Sequence, residues 1–132
     1  MTTVYEPIYP WEKWSDRLTF SPAVRVGDLL FISGLTATDE NLNIVGPNDI
    51  VAQTRHIFLK MGDILAAAGG GFDNVVETVD YFVTLEGYSR TAEVRREFFK
   101  GPPYPAATGV QVARLIRDDA LIEIKALAVL KP

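Results

Sequence analysis

The fold turns on one stretch, Leu121-Ile122-Glu123-Ile124-Lys125-Ala126-Leu127-Ala128-Val129. Its β-branched and apolar residues favour a strand, in which successive side chains point to opposite faces. One face would then carry Leu121, Glu123, Lys125, Leu127 and Val129, the other Ile122, Ile124, Ala126 and Ala128. A strand with one solvated face shows polar residues at every second position, and this one does not. The sheet holding it therefore needs a cover on both sides.

Upstream, Thr108 to Leu115 reads as another strand, with the polar turn Arg117-Asp118-Asp119 between the two. Before it, Gly101-Pro102-Pro103-Tyr104-Pro105 forbids helix, and Ser89 to Phe99 has helical spacing, with Val94, Phe98 and Phe99 inward and Arg90, Arg95, Arg96 and Glu97 mostly outward. Val75 to Leu85, rich in Val, Thr, Tyr and Phe, is a strand. A longer helix starts at the N-cap residues Asn48 and Asp49. It buries Ile50, Thr54, Ile57, Phe58, Met61, Ile64, Leu65 and Ala68 and turns Gln53, Arg55, Lys60 and Asp63 away. Gly69-Gly70-Gly71 follows this helix instead of opening one, with no Lys-Ser/Thr pair after it, so it reads as a C-cap and not a phosphate loop. Leu18 to Phe20, Val24 to Val26 and Leu29 to Ser33 are short strands, the last two joined at Val26-Gly27-Asp28-Leu29. The order β, β, β, α, β, α, β, β is α+β: a six-stranded mixed sheet with both helices on one face. Two helices cover one side only, and association of copies through the other is the economical remedy.

At 132 residues the chain has room for one domain, read as an N-terminal arm over 1–17 and a single domain over 18–132. The arm holds Pro7, Pro10, Trp11 and Trp14, and its two indoles call for packing on the body or on a partner chain. A net charge of −4 repels polyanions and argues against nucleic acid. Without cysteine there is no disulfide, thiol nucleophile or thiolate metal site, and the single histidine, His56, gives no ligand cluster, so no metal is expected. No signal peptide and no membrane-length apolar run is visible, which points to a cytoplasmic protein without membrane contact. No Gly-x-Ser-x-Gly elbow supports serine hydrolysis.

Seven segments, in order, resemble the reactive intermediate deaminase (Rid, YjgF-like) family. They are Phe20-Ser-Pro-Ala-Val-Arg-Val-Gly-Asp28, Leu30-Phe-Ile-Ser-Gly34, Asp49-Ile-Val-Ala-Gln-Thr-Arg55, Ile64-Leu-Ala-Ala-Ala-Gly69, Glu97-Phe-Phe99, Pro105-Ala-Ala-Thr-Gly-Val-Gln-Val-Ala-Arg-Leu115 and Ile122-Glu-Ile-Lys-Ala-Leu-Ala128. The resemblance implies a chorismate-mutase-like fold and a homotrimer with three clefts between subunits. It also implies hydrolysis there of small enamines and imines to oxo compounds and ammonia, with no cofactor. By position, Glu123 matches the carboxylate that binds the attacking water, Ser33 and Gly34 the cleft-lining pair, and Thr108 a small hydroxyl beside Gly109. Ala23 stands where some members carry a cleft tyrosine, and Lys125 where a second acidic residue is common. The family motif Pro-Ala-Arg-Ser/Thr reads Pro105-Ala106-Ala107-Thr108, so Ala107 replaces the arginine that clamps a substrate carboxylate. Losing such a bidentate contact costs about 100-fold in binding. Arg25, Arg17 and Arg114 are the cations considered as substitutes.

Read without the family, Glu123 between two isoleucines is either a sheet-face ion pair or a desolvated acid/base, and the resemblance favours the second. Asp80 is a charge guarding a strand face or a second acid in the cleft. Among the aromatics, Tyr104 beside the altered motif is the one assigned to the cleft. The expected function is hydrolysis of an enamine or imine larger than 2-aminoacrylate, of the aminomuconate type, since Ala107 enlarges the pocket. The alternative is a non-catalytic trimer that binds a small metabolite in the same cleft. Ribonuclease activity ranks last, given the acidic charge.

Overall fold

The computed structural model describes residues 4–131. Its strands are β1 (Glu6–Ile8), β2 (Ala23–Val26), β3 (Leu29–Leu35), β4 (Val75–Phe82), β5 (Ala106–Gln111) and β6 (Ile122–Val129), and its α-helices are α1 (Ile50–Ala67) and α2 (Thr91–Phe98). The strands form one sheet in the order β1-β2-β3-β6-β4-β5. Only the β4–β5 pair is parallel, and α2 makes the crossover that a parallel pair requires.

Local chemistry sets the element ends. Gly27, at φ +58°, takes the left-handed turn that joins β2 to β3. Asp49 caps α1, its Oδ1 accepting from the amides of Val51 and Ala52 at 3.1 and 3.0 Å. At the other end Gly69 is left-handed at φ +85°, and the Gly70 amide closes the helix on Leu65 O at 2.8 Å. The stripe Ile57, Phe58, Met61, Ile64 and Leu65 is fully buried in one core with Leu30, Ile32, Ile122, Ile124 and Ala128 of the sheet. Phe58 also meets Phe72, Phe98 and Phe99, which ties α1 to the end of α2.

In β6 the even positions are buried under the helices, whereas Glu123, Leu127 and Val129 are half-buried and Lys125 is exposed. The far face of the sheet is thus bare and largely apolar: Val26, Leu29, Phe31 and Val110 are exposed on it or at its rim. β5 is a sheet edge, and all six of its residues are exposed. An apolar face meeting an open edge is costly for a lone chain.

The structure corrects the sequence reading at four places. Leu18 to Phe20 is not a strand; the first strand is Glu6–Ile8, inside the arm, pairing with β2. There the Trp14 indole donates to Phe20 O at 3.0 Å and meets the Phe20 ring edge-on, contacts that override the β-propensity of the segment. β5 runs from Ala106 to Gln111, not from Thr108 to Leu115, because its partner β4 ends at Phe82, where the last bond is Val112 N to Phe82 O. Gln53, assigned to the outer side of the first helix, is fully buried: its Nε2 donates to Gly46 O at 3.1 Å and its Oε1 accepts from the Leu121 amide at 2.8 Å. Arg95, assigned outward on α2, folds inward over the Phe58 ring at 5.4 Å.

Candidate functional site

Glu123 lies on the bare face of β6, opposite Tyr81 of β4. On its other side the β3–β6 register shifts between Ile32 and Leu35, and this irregularity brings the backbone of Gly34 against the carboxylate. A methyl group built on Gly34 would overlap Glu123 Oε2, so any side chain there would push the carboxylate out of this position. Burial pushes the Glu123 carboxyl above the ordinary carboxylate range. A carboxyl whose proton affinity is raised by burial is a better proton donor-acceptor pair than a solvated one.

Ser33 stands beside this pair. Its hydroxyl donates to Ser21 O at 2.6 Å, which pins the segment before β2 and leaves the oxygen only its acceptor capacity. Ser33 lines a groove of about 660 Å³ on the bare face together with Phe20, Phe31, Lys125, Leu127 and Tyr9 of the arm. Lys125 is two residues from Glu123 on the same strand and the same face.

The β5 candidates fall elsewhere. Thr108 shares the bare face with Glu123, but β4 stands between their strands. By register Ala107 and Gly109 pair with Thr78 and Asp80, whose partners Ala126 and Ile124 are buried on the helix side, so their side-chain directions oppose that of Glu123. Tyr104 is exposed in the loop before β5, packed beside Gly101. Ala23 is buried in the core, paired with Ile32. One chain therefore unites Glu123, Gly34 and Ser33, and leaves Ala107, Thr108, Gly109 and Tyr104 along its exposed edge.

Behind that edge is a polar cluster that periodicity did not reveal. Asp80, only 2% exposed, accepts from the Tyr88 hydroxyl at 2.8 Å and is ion-paired with Arg95, whose other nitrogen donates to Thr78 Oγ1 at 3.1 Å. Burial and the bond to Asp80 raise the Tyr88 phenol to about 12, so it stays a donor. Tyr88 stacks on Phe82 with centroids 3.9 Å apart, and a methyl group on Gly109 would lie 2.7 Å from its oxygen. Asp80 is thus neither a surface guard nor an acid open to the bare face. Its signal in the sequence was a carboxylate between Val79 and Tyr81 with arginines one helix away.

None of the cations considered in place of the missing arginine lies beside Ala107. Arg25 donates to Gly27 O at 2.9 Å on β2, at the opposite side of the sheet. Arg114 pairs with Asp118 beyond the end of β5, and Arg17 is exposed on the arm. Among the described residues, no group of three or more His, Asp or Glu could hold a metal, and no helix is long and apolar enough to cross a membrane.

Comparison with known proteins bears on the family and the fold. The family model described as Endoribonuclease L-PSP matches residues 14–130. The chain is 34% identical over 109 residues to a 3-aminoacrylate deaminase, RutC, of Acinetobacter baylyi, covering 83% of this chain and 85% of that one. It is 33% identical over 113 residues to a 2-iminobutanoate/2-iminopropanoate deaminase of Mus musculus, covering 86% and 82%. The fold superposes with a TM-score of 0.85 on the crystal structure of the Rid-family protein YyfA from Yersinia pestis, at 27% identity and over 95% and 98% of the two chains. These likenesses establish that the chain belongs to the Rid (RutC/YjgF-like) family.

Proposed function

We propose that this chain is a Rid-type deaminase that hydrolyses an enamine or imine larger than 2-aminoacrylate, releasing ammonia and an oxo product. The cleft is completed by a second copy of the chain in a homotrimer. The observation that carries this reading is Glu123: a half-buried carboxyl with a raised proton affinity, seated on the backbone of Gly34 at the margin of an apolar face. The two deaminases among the relatives, named for 3-aminoacrylate and for 2-iminobutanoate and 2-iminopropanoate, support the reaction class.

The chemistry follows from one titratable group. Protonated Glu123 gives its proton to the enamine carbon, which turns the enamine into an iminium ion. The resulting carboxylate then takes a proton from a held water while the water oxygen bonds to the iminium carbon, giving a neutral carbinolamine. Glu123 returns that proton to the carbinolamine nitrogen, the carbon–nitrogen bond breaks, and the hydroxyl proton passes back to the carboxylate, leaving a carbonyl group and ammonia. Exclusion of bulk water by a neighbouring subunit sharpens each step.

Substrate choice rests on Ala107, Thr108, Gly109 and Tyr104 at the β5 edge, brought to the Glu123 of an adjacent copy. Ala107 offers no charge to a carboxylate, and Arg95, bonded to its register partner Thr78, is held by Asp80. The expected result is therefore slow hydrolysis of 2-iminopropanoate, generated in place by an amino-acid oxidase, at about one hundredth or less of the efficiency of an arginine-bearing homologue. A 2-aminomuconate-type enamine should turn over faster than 2-iminopropanoate. Ammonia release followed for both compounds decides it, and comparable efficiency with 2-iminopropanoate contradicts the assignment. Tight binding of such enamines with no turnover of any would favour the non-catalytic reading, to which the missing arginine also points.

A further inference from the structure

On the helix side of the molecule, a second groove of about 810 Å³ runs between the arm, the loop after β3 and α1. His56, Lys60 and Asp63 of α1 line it, spaced four and three residues apart and so on one helix face. Trp11 and Trp14 form a wall, stacked with centroids 5.9 Å apart, and the Trp11 indole is fixed by its bond to Asp63 Oδ2 at 3.0 Å. The deaminase reading uses none of these residues.

Lys60 is held in an unusual way for a helix lysine. Its Nζ donates to Thr36 O at 2.8 Å and to Thr38 Oγ1 at 2.9 Å, with the Trp11 ring 5.8 Å away. Burial lowers the ammonium to about 8. A neutral amine has two hydrogens and one lone pair. With the two hydrogens on these two oxygens, the lone pair takes the remaining tetrahedral direction, and the groove is the open space that Lys60 lines. One helical turn away, His56 Nε2 lies 3.1 Å from Thr38 O; a carbonyl only accepts, so Nε2 carries the hydrogen and Nδ1 is left to take and return a proton.

The lining also selects by charge. Glu12, Asp39, Glu40 and Asp63 outnumber Lys13 and Lys60, which disfavours an anionic guest. The stacked indoles suit a flat, apolar one. We propose that this groove is a carbonyl-binding site, in which Lys60 forms a reversible imine with a neutral, planar aldehyde or ketone. The amine lone pair bonds to the carbonyl carbon, and the oxygen takes up the proton that the nitrogen loses. His56 Nδ1, having taken a proton from solvent, gives it to the departing hydroxyl; water leaves, the carbon–nitrogen double bond forms as a protonated imine, and its N–H proton returns to Nδ1. Hydrolysis by the reverse path frees the amine.

The test treats the whole protein at about pH 7 with benzaldehyde and sodium cyanoborohydride, which reduces an imine to a stable benzylamine, and maps the adducts by peptide mass spectrometry. The expected result is labelling at Lys60 about tenfold or more faster than at any of the other four lysines, with a rate that saturates in benzaldehyde. With 4-carboxybenzaldehyde the rate at Lys60 should fall about tenfold while the other lysines react as before. Labelling of Lys60 no faster than Lys13 or Lys131, or a rate that rises linearly without saturation, overturns the site. Equal rates for the two aldehydes at Lys60 overturn the assignment of a neutral guest. Neither readout depends on deaminase turnover.

Discussion

Glu123 and Gly34 act as one unit, because the carboxylate occupies the space that any other residue at 34 would fill. Seating a carboxyl there has a cost that can be measured. Its proton affinity is raised in the folded chain, so the folded state binds the proton more tightly than the unfolded state does. Stability from this group is therefore present below the unfolded carboxylate pKa and is lost as pH rises through the folded one. Glu123→Gln removes that penalty. The variant should melt at a higher temperature than wild type at neutral pH, and the gain should vanish in acid, where Glu123 is protonated in both states; thermal unfolding across pH checks this, and an unchanged difference in acid contradicts it. Glu123 was legible in the sequence as a carboxylate set between two isoleucines. Arg95 was not, because helical spacing gives the direction of a Cα–Cβ bond, and a long arginine can turn its guanidinium back toward the core.

Among the elements, β5 shows how much of the site rests on a neighbouring helix. The edge strand is backed by Tyr88 and by the Arg95–Asp80 pair, and Gly109 leaves the space that the Tyr88 hydroxyl enters. Tyr88→Phe keeps the stack on Phe82 and takes one donor from a buried carboxylate. That loss should cost about 1–3 kcal/mol in urea unfolding. A change within error would mean that Asp80 is satisfied by Arg95 alone. The hairpin turn at Gly27 and the caps of α1 at Asp49 and Gly69 could be read directly, since each follows from one residue's local chemistry. The strand Glu6–Ile8 could not. Three residues around a proline carry no period, and their pairing depends on where Trp11 and Trp14 settle on α1 and Phe20.

For the whole molecule, the bare apolar face, the exposed β5 edge and the separation of Glu123 from Ala107, Thr108 and Gly109 would all be met by the proposed homotrimer. Two helices could be seen in the sequence to be too few to cover a six-stranded sheet; which residues of one copy meet which of another could not, because that contact has no local signature. Sedimentation at micromolar concentration should give about three times the chain mass of 14.6 kDa, and a monomer there would contradict the completed cleft. The central claim is that Glu123 moves the protons of enamine or imine hydrolysis in that assembly. It is tested most directly by the kcat/KM of wild type and Glu123→Gln on a 2-aminomuconate-type enamine, measured on samples shown to have the same mass in solution. The expected result is a loss of about 10²- to 10⁴-fold in the variant with its folded assembly intact. Equal rates in the two proteins would contradict it.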